Sequence, residues 1–147
     1  MEDSTKIYTE EKMSQLHTQI RKNKQREKIP LHEMALNAAH DVDGHIQGRG
    51  FDYSCIERLA DELEENIMGA DADPIMAPNF PYNQVWKAIE KAYDKKIDNY
   101  SELRFETELV ARDLRNVRKI SQGKGYKRLN QTKDFCLEFY KALKRNN

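Results

Sequence analysis

Residues 54–69 read SCIERLADELEENIMG, and this stretch carries the clearest helix signal in the chain. Its apolar residues recur every three or four positions, which places them on one face of an α-helix. Ser54 and Glu57 match the capping box that starts many helices, and Gly69 stands where a glycine commonly ends one. The inward face predicted from this spacing comprises Ile56, Leu59, Ala60, Leu63 and Ile67.

Helical spacing continues on both sides of this stretch, and no strand-like alternation extends beyond a few residues. We therefore predict an all-α fold, a compact bundle of five to six helices. The last two helices are expected to form a C-terminal antiparallel helical hairpin, because their connection is short. The other predicted helices cover residues 9–24, 31–42, 81–97, 101–120 and 132–144.

The boundaries of two predicted helices depend on glycine and proline. The helix over 31–42 is expected to stop there, because three glycines follow within residues 44–50. Pro30 separates it from an N-terminal helical arm, residues 1–30, whose apolar stripe is thin. Residues 31–147 are predicted to form a single helical domain, a size at which one core is usual. Its predicted core includes Leu59, Leu63, Trp86, Ile89, Leu114 and Phe139.

Charge is sorted along the chain although the whole is neutral, with 25 basic and 25 acidic residues. Residues 31–80 carry 2 basic and 11 acidic side chains, and residues 81–147 carry 16 basic and 9 acidic ones. Such asymmetry points either to polyanion binding or to the docking of an acidic surface on a basic one.

The densest basic stretch, from Arg112 to Arg128, is the candidate binding site, and Asp113 is its only acidic residue. Its helical part is expected to face solvent or a partner, because Leu114 and Val117 take the inward side. Arginine suits phosphate because its planar fork donates in pairs, and Tyr126 is placed to stack on an exposed base. The cluster comprises Arg112, Arg115, Arg118 and Lys119 on the helix, and Lys124, Tyr126, Lys127 and Arg128 on the predicted loop.

Two alternatives remain open for this cluster. The charges could solvate a helix face or pair with the acidic helix over 54–67, as exposed helical charges commonly do. Motifs of helix-turn-helix, zinc-finger and single-stranded RNA-binding proteins are absent from the sequence. The sequence therefore favours a small non-enzymatic binding or regulatory protein, acting through charged helical surfaces on a protein partner or on itself. A nucleic-acid-binding accessory protein that uses the basic hairpin is the alternative.

Residues 41–52, DVDGHIQGRGFD, resemble the calcium-binding loop of EF-hand or dockerin proteins over this segment only. Asp41, Asp43 and Asp52 fall at positions one, three and twelve of that loop. The pattern departs at His45 and Ile46, which replace an oxygen ligand and the turn glycine. We therefore expect no tight calcium binding.

The histidines are the other candidate metal ligands, and their set is incomplete. His40 and Asp41 match the doublet of metal-dependent phosphohydrolases, but no histidine follows His45 to complete such a site. We expect no metal at His32, His40 and His45, no cofactor and no catalytic residue.

The cellular setting is predicted from the cysteines and the N-terminus. Cys55 and Cys136 lie on apolar helical faces and are expected to be reduced thiols. The polar, acidic start of the sequence does not match a secretory signal peptide, and no apolar run approaches the length of a membrane span. A cytoplasmic protein without membrane contacts is the expectation.

Overall fold

The computed structural model describes residues 29–49, 52–68, 79–120 and 126–145. The chain divides into two compact units, Met1–Pro30 and Leu31–Asn147. The N-terminal arm predicted for residues 1–30 thus lies almost wholly outside the described residues. Within the described residues the structure contains helices and no strand, so the prediction of an all-α bundle is confirmed. The five α-helices are α1 (Leu31–Gln47), α2 (Ser54–Leu63), α3 (Tyr82–Tyr93), α4 (Tyr100–Asn116) and α5 (Tyr126–Arg145).

Two helices continue in a different winding at their C-terminal ends. One π-helical turn, Glu64–Met68, follows α2, and a short 3₁₀ turn, Val117–Lys119, follows α4. The Asn66 side chain donates to the Glu62 carbonyl, and the Tyr82 hydroxyl donates to the Asn66 carbonyl. The π turn is therefore tied to the start of α3.

Helix α5 lies between α1 and α3 and packs principally against these two. Contacts of His32 with Tyr140 and of Asp43 with Lys133 show that α1 and α5 run antiparallel. The two helices of the predicted C-terminal hairpin, α4 and α5, meet where they are connected, through Asp113 and Arg128. Helix α2 packs on α1 and on α4, so the acidic helix and the basic helix are neighbours.

Five of the six predicted core residues are buried, and the sixth is not. Trp86 is half-buried, and its indole N–H donates to the Ile97 carbonyl at 3.1 Å. An indole needs a partner for its N–H, which favours the edge of a core over its centre. The five confirmed core residues are Leu59, Leu63, Ile89, Leu114 and Phe139.

The expected end of the first described helix was wrong. Helix α1 passes through Gly44, which is buried, and runs to Gln47. Gly48 ends it with a positive φ of 74°, and the amides of Gly48 and Arg49 donate to the carbonyls of His45 and Gly44. This is the glycine-terminated C-cap, with the stop one turn later than the sequence indicated.

The predicted capping box of α2 was also wrong. Tyr53 is the N-cap residue and makes no side-chain cap hydrogen bond. The Asp52 carboxylate instead accepts hydrogen bonds from the Ser54 amide and the Ser54 hydroxyl, at 2.9 and 3.0 Å. An Asx-type turn therefore starts this helix, and Glu57 is left available for another partner.

Candidate interaction surface

The basic helix α4 faces the acidic helix α2, and Arg115 joins them. Its guanidinium donates to both carboxylate oxygens of Glu64, at 2.9 and 2.8 Å, and also to Asp61. Hydrogen bonding to Glu64, and then to Asp61, raises the pKa of the Arg115 guanidinium above its ordinary value. Two-point pairing of this kind is among the stronger polar contacts in proteins. Arg115 is therefore engaged within the fold.

Arg118 also turns towards α2. It pairs with Glu57 at 3.3 Å, and its guanidinium carbon lies 5.8 Å from the centre of the Tyr53 ring. A cation over an aromatic face adds attraction to the ion pair. Arg118 stays more than half exposed, at 55% of its side chain, so this pairing is weaker than that of Arg115.

Arg112 is the helical arginine that does not reach α2. It pairs with Glu108, one turn earlier on the same helix, at 3.3 Å. Both side chains are exposed, at 62% and 50%, and such pairs contribute about 0.3–0.5 kcal/mol. Arg112 therefore remains available at the surface.

Asp113 is the only acidic residue within the basic stretch, but folding brings carboxylates from elsewhere in the chain to it. The pattern of one helix cannot show which helix packs beside it. Helix α2 supplies Glu57 and Asp61 to this surface, and the π-helical turn after it supplies Glu64. The alternative, pairing with the acidic helix, describes Arg115 and Arg118 correctly. A reversal of Arg115 to Glu would consequently face two carboxylates rather than solvent.

The loop predicted for Lys127 and Arg128 is instead the first turn of α5, which begins at Tyr126. Arg128 donates to Asp113 at 2.8 Å, and the Tyr93 hydroxyl donates to the same carboxylate oxygen at 3.2 Å. Burial raises the pKa of Asp113, and hydrogen bonding to Asp113 raises the pKa of Arg128. Lys124 and the side chain of Tyr126 lie outside the described residues.

Among the described members of the cluster, Lys119 and Lys127 form no ion pair with another described residue. Both are exposed. They flank the connection between α4 and α5. The predicted basic surface is thus reduced to this end of the bundle.

His45 holds the same end in place. Its Nε2 lies 2.7 Å from the Ile120 carbonyl oxygen, and its Nδ1 lies 3.2 Å from the Tyr53 hydroxyl. A carbonyl oxygen only accepts, so Nε2 carries the proton, and in the neutral ring Nδ1 accepts from Tyr53. His45 therefore links the ends of α1 and α4 with the start of α2, a role that its sequence position did not reveal.

The histidines predicted as non-ligands lie at separate places. The ring centres of His32 and Tyr140 lie 6.4 Å apart. His45 is about 20 Å from His32 along α1 and contacts Ile120. His40 is exposed. Among the described residues, no group of three or more His, Cys, Asp or Glu side chains is arranged to hold a metal ion.

The three aspartates of the calcium-loop pattern are dispersed by the extension of α1. Asp43 pairs with Arg49 at 2.9 Å and with Lys133 at 3.7 Å, while Asp52 caps α2. Asp41 is half-buried on α1, and this burial, with the nearby Asp52 charge, raises the pKa of Asp41 to about 6. Asp41 and Asp43 therefore belong to a helix rather than to a loop.

Both cysteines are free thiols, Cys55 half-buried and Cys136 buried. Burial raises the pKa of each thiol, most strongly that of Cys136. A raised thiol pKa lowers the fraction of reactive thiolate. The geometry therefore agrees with cysteines that serve packing.

Sequence reasoning gave too little weight to Phe105. Its side chain is 59% exposed, and it is the one large apolar residue classed as exposed among the described residues. Phe105, Glu108 and Arg112 share one face of α4 by their spacing, and Lys119 lies just beyond the helix end. We name these four residues the α4 outer face. Its signal was an apolar residue away from the buried stripe of Leu103, Val110 and Leu114.

Within the described residues, no helix is long and apolar enough to cross a membrane. No family model matches the sequence, and comparisons with the curated proteins and with the solved structures also give no match.

Proposed function

We propose that this chain is a non-enzymatic binding protein of the cytoplasm that acts on a protein partner, or on a second copy of itself, through the α4 outer face. The partner would cover Phe105 and meet the charges of Glu108, Arg112 and Lys119. Regulation of that partner, rather than chemistry on a substrate, is the activity we infer.

The observation that carries this proposal is the exposure of Phe105 beside an arginine of the same face. Aromatic residues and arginine are enriched at the centres of protein interfaces, where burial of a large ring contributes most of the binding energy. Glu108 and Arg112 would supply a polar rim of both signs, which fits a protein surface better than a uniformly negative one.

The second line of support is the pairing of the basic cluster with α2. Arg115 and Arg118 have carboxylate partners, which reduces their attraction for a phosphate backbone. A protein partner does not require those two arginines to be free.

The test is a comparison of three versions of the full chain, purified from its native cells under mild conditions. Phe105→Ser removes the aromatic ring, and Lys96→Ser is the matched control, because Lys96 is 87% exposed and lies outside the α4 outer face. We expect a specific protein, or a homo-oligomer seen by sedimentation, with wild type and Lys96→Ser and its loss with Phe105→Ser. Equal recovery with all three would contradict the proposal.

The second candidate function is nucleic-acid binding at the connected ends of α4 and α5. The observation that favours it is that Lys119 and Lys127 are exposed and form no ion pair within the described residues. Retention on immobilised RNA or DNA that falls steeply with salt, and that is lost in Lys119→Gln with Lys127→Gln, would favour this function. Retention unaffected by these substitutions would count against it.

A further inference from the structure

A second basic surface lies on the opposite side of α5 from α1, in a groove between α3 and α5. The groove measures about 210 Å³. Neither the charge runs nor the predicted hairpin pointed to it, because its residues come from two helices distant in sequence. Its lining residues are Lys87, Ala88, Lys91, Glu138, Ala142 and Arg145.

The charges of this α3–α5 groove are strongly unbalanced. The side chain of Glu138 is only 15% exposed. One of its carboxylate oxygens forms an ion pair with Lys91 at 3.2 Å, and the other forms one with Lys141 at 3.5 Å. Lys87 and Arg145 are exposed and have no ion pair within the described residues. The groove lining therefore holds three cations and one carboxylate, and that carboxylate also pairs with Lys141.

On each of the two helices, two cations are spaced about one helical turn apart. Lys87 and Lys91 are four residues apart on α3, and Lys141 and Arg145 are four apart on α5, about 6 Å along each axis. Contacts of Lys91 with Glu138 and of Tyr93 with Thr132 show that the two helices run antiparallel. Lys87 and Lys91 of α3 and Arg145 of α5 thus line the groove together with two alanines.

We propose that the α3–α5 groove binds an acidic segment of a partner protein, with Asp or Glu side chains at Lys87 and Arg145 and small apolar side chains on the alanines. Charge complementarity selects this occupant. The site is distinct from the α4 outer face and does not depend on the function proposed for it.

Two features favour a protein segment over a nucleic acid. No aromatic residue is among the described lining residues, so the groove lacks the stacking platform typical of single-stranded nucleic-acid sites. Glu138 already pairs with Lys91 and Lys141, so an occupant must place its negative charges at Lys87 and Arg145, which separate Asp or Glu side chains do more readily than an unbroken phosphate backbone. The groove is also smaller than the roughly 300–1,000 Å³ usual for small-molecule sites, so it suits individual side chains better than a whole small molecule.

The experiment measures fluorescence anisotropy of a labelled Glu-rich peptide, repeats of Glu-Ala-Ala-Glu-Leu, with the intact protein. A peptide with Gln in place of every Glu is the ligand control. The groove variant is Lys87→Glu with Arg145→Glu. Its matched control is Arg49→Glu with Lys96→Glu, which makes the same change of net charge at two exposed residues that line neither the groove nor the α4 outer face.

We expect the acidic peptide to bind wild type in a salt-dependent manner, and the Gln peptide to bind at least about tenfold more weakly. The groove variant should lose about tenfold or more in affinity, whereas the control variant and Phe105→Ser should stay within about twofold. The neutral pair Lys87→Gln with Arg145→Gln should lose less affinity, and circular dichroism checks that each variant folds.

Three results would overturn the inference. The first is no binding of the acidic peptide, and the second is an equal loss in the groove and control variants, which would reveal general attraction to positive charge. The third is tighter binding of a labelled single-stranded DNA oligonucleotide that is lost in the groove variant, which would assign the groove to nucleic acid.

Discussion

Arg115 and Glu64, 51 positions apart in the chain, form a two-point ion pair with N–O distances of 2.9 and 2.8 Å. The pair joins the basic helix α4 to the π-helical turn that follows the acidic helix α2. Part of the charge sorted along the sequence is therefore recombined by folding. Arg115, which was predicted to belong to a binding surface, instead forms a contact within the folded chain.

Arg115→Gln should lower the free energy of unfolding by about 1–2 kcal/mol, a figure reduced for the partial exposure of the pair to solvent. Its loss leaves Asp61 and Glu64 close together without their shared cation. Arg112→Gln is the matched control and should cost within about 0.5 kcal/mol, because the one ion pair of Arg112 among the described residues is with exposed Glu108. Urea unfolding measures both, and equal costs would show that Arg115 is no more important than a surface charge.

Leu63→Ala should lower the free energy of unfolding by about 2–5 kcal/mol, because Leu63 is fully buried and its truncation leaves a cavity. Phe105→Ala removes more side chain but should cost less than about 1 kcal/mol, because that ring is mostly in solvent. Thermal or urea unfolding compares the two. A loss below about 0.5 kcal/mol for Leu63→Ala would remove that residue from the core.

Tyr93→Phe should destabilise the fold by about 1 kcal/mol. The Tyr93 hydroxyl lies 3.2 Å from the Asp113 carboxylate, which is nearly buried, and 3.4 Å from the Thr132 hydroxyl. Tyr140→Phe is the control, since no hydrogen bond of the Tyr140 hydroxyl occurs within the described residues. An equal effect of the two substitutions on urea unfolding would argue against the buried network.

Asp41 should make the protein more stable as the pH falls from 7 towards 5. Its pKa is raised from 3.8 to about 6, chiefly by burial, so between these values the folded state binds more protons than the unfolded state. Stability attributable to this group therefore rises on acidification through this window, is lost as the pH rises through about 6, and is constant above that. Asp41→Asn should be more stable than wild type at pH 7, with a difference that shrinks towards pH 4. Unfolding measured across this range would contradict the assignment if the difference were constant.

Much of the fold follows from local pattern, and the exceptions have particular causes. The buried faces of α2 and α4 could be predicted because the apolar residues of each helix recur at helical spacing. Leu59 and Leu63 belong to this pattern in α2, and Leu114 belongs to it in α4. Gly44 was wrongly predicted to lie beyond the helix: it is buried within α1, whereas Gly48, with a positive φ, is the residue that ends α1. The true start of α4 has a signal that was missed. Asn99 accepts from the Glu102 amide at 2.9 Å, and the Glu102 carboxylate accepts from the Asp98 amide at 2.8 Å.

The candidate site was less predictable because its electrostatics depend on tertiary packing. Nothing in the sequence of α4 indicates that Arg115 meets Glu64 and Arg118 meets Glu57. The sequence does not reveal the α3–α5 groove for the same reason. Lys87 and Arg145 are 58 positions apart and lie on different helices, so no single basic run contains both. Periodicity identifies which face of a helix is buried, but not which charges a neighbouring helix brings to it.

The central claim is that the acidic and basic segments are partly paired within one folded chain. A double-mutant cycle with Arg115→Gln and Glu64→Gln, measured by urea unfolding of the two single variants and the double variant, tests this most directly. We predict a coupling energy of at least about 0.5 kcal/mol that decreases at high salt. Costs that add to within about 0.3 kcal/mol at low salt would contradict the pairing of α2 with α4.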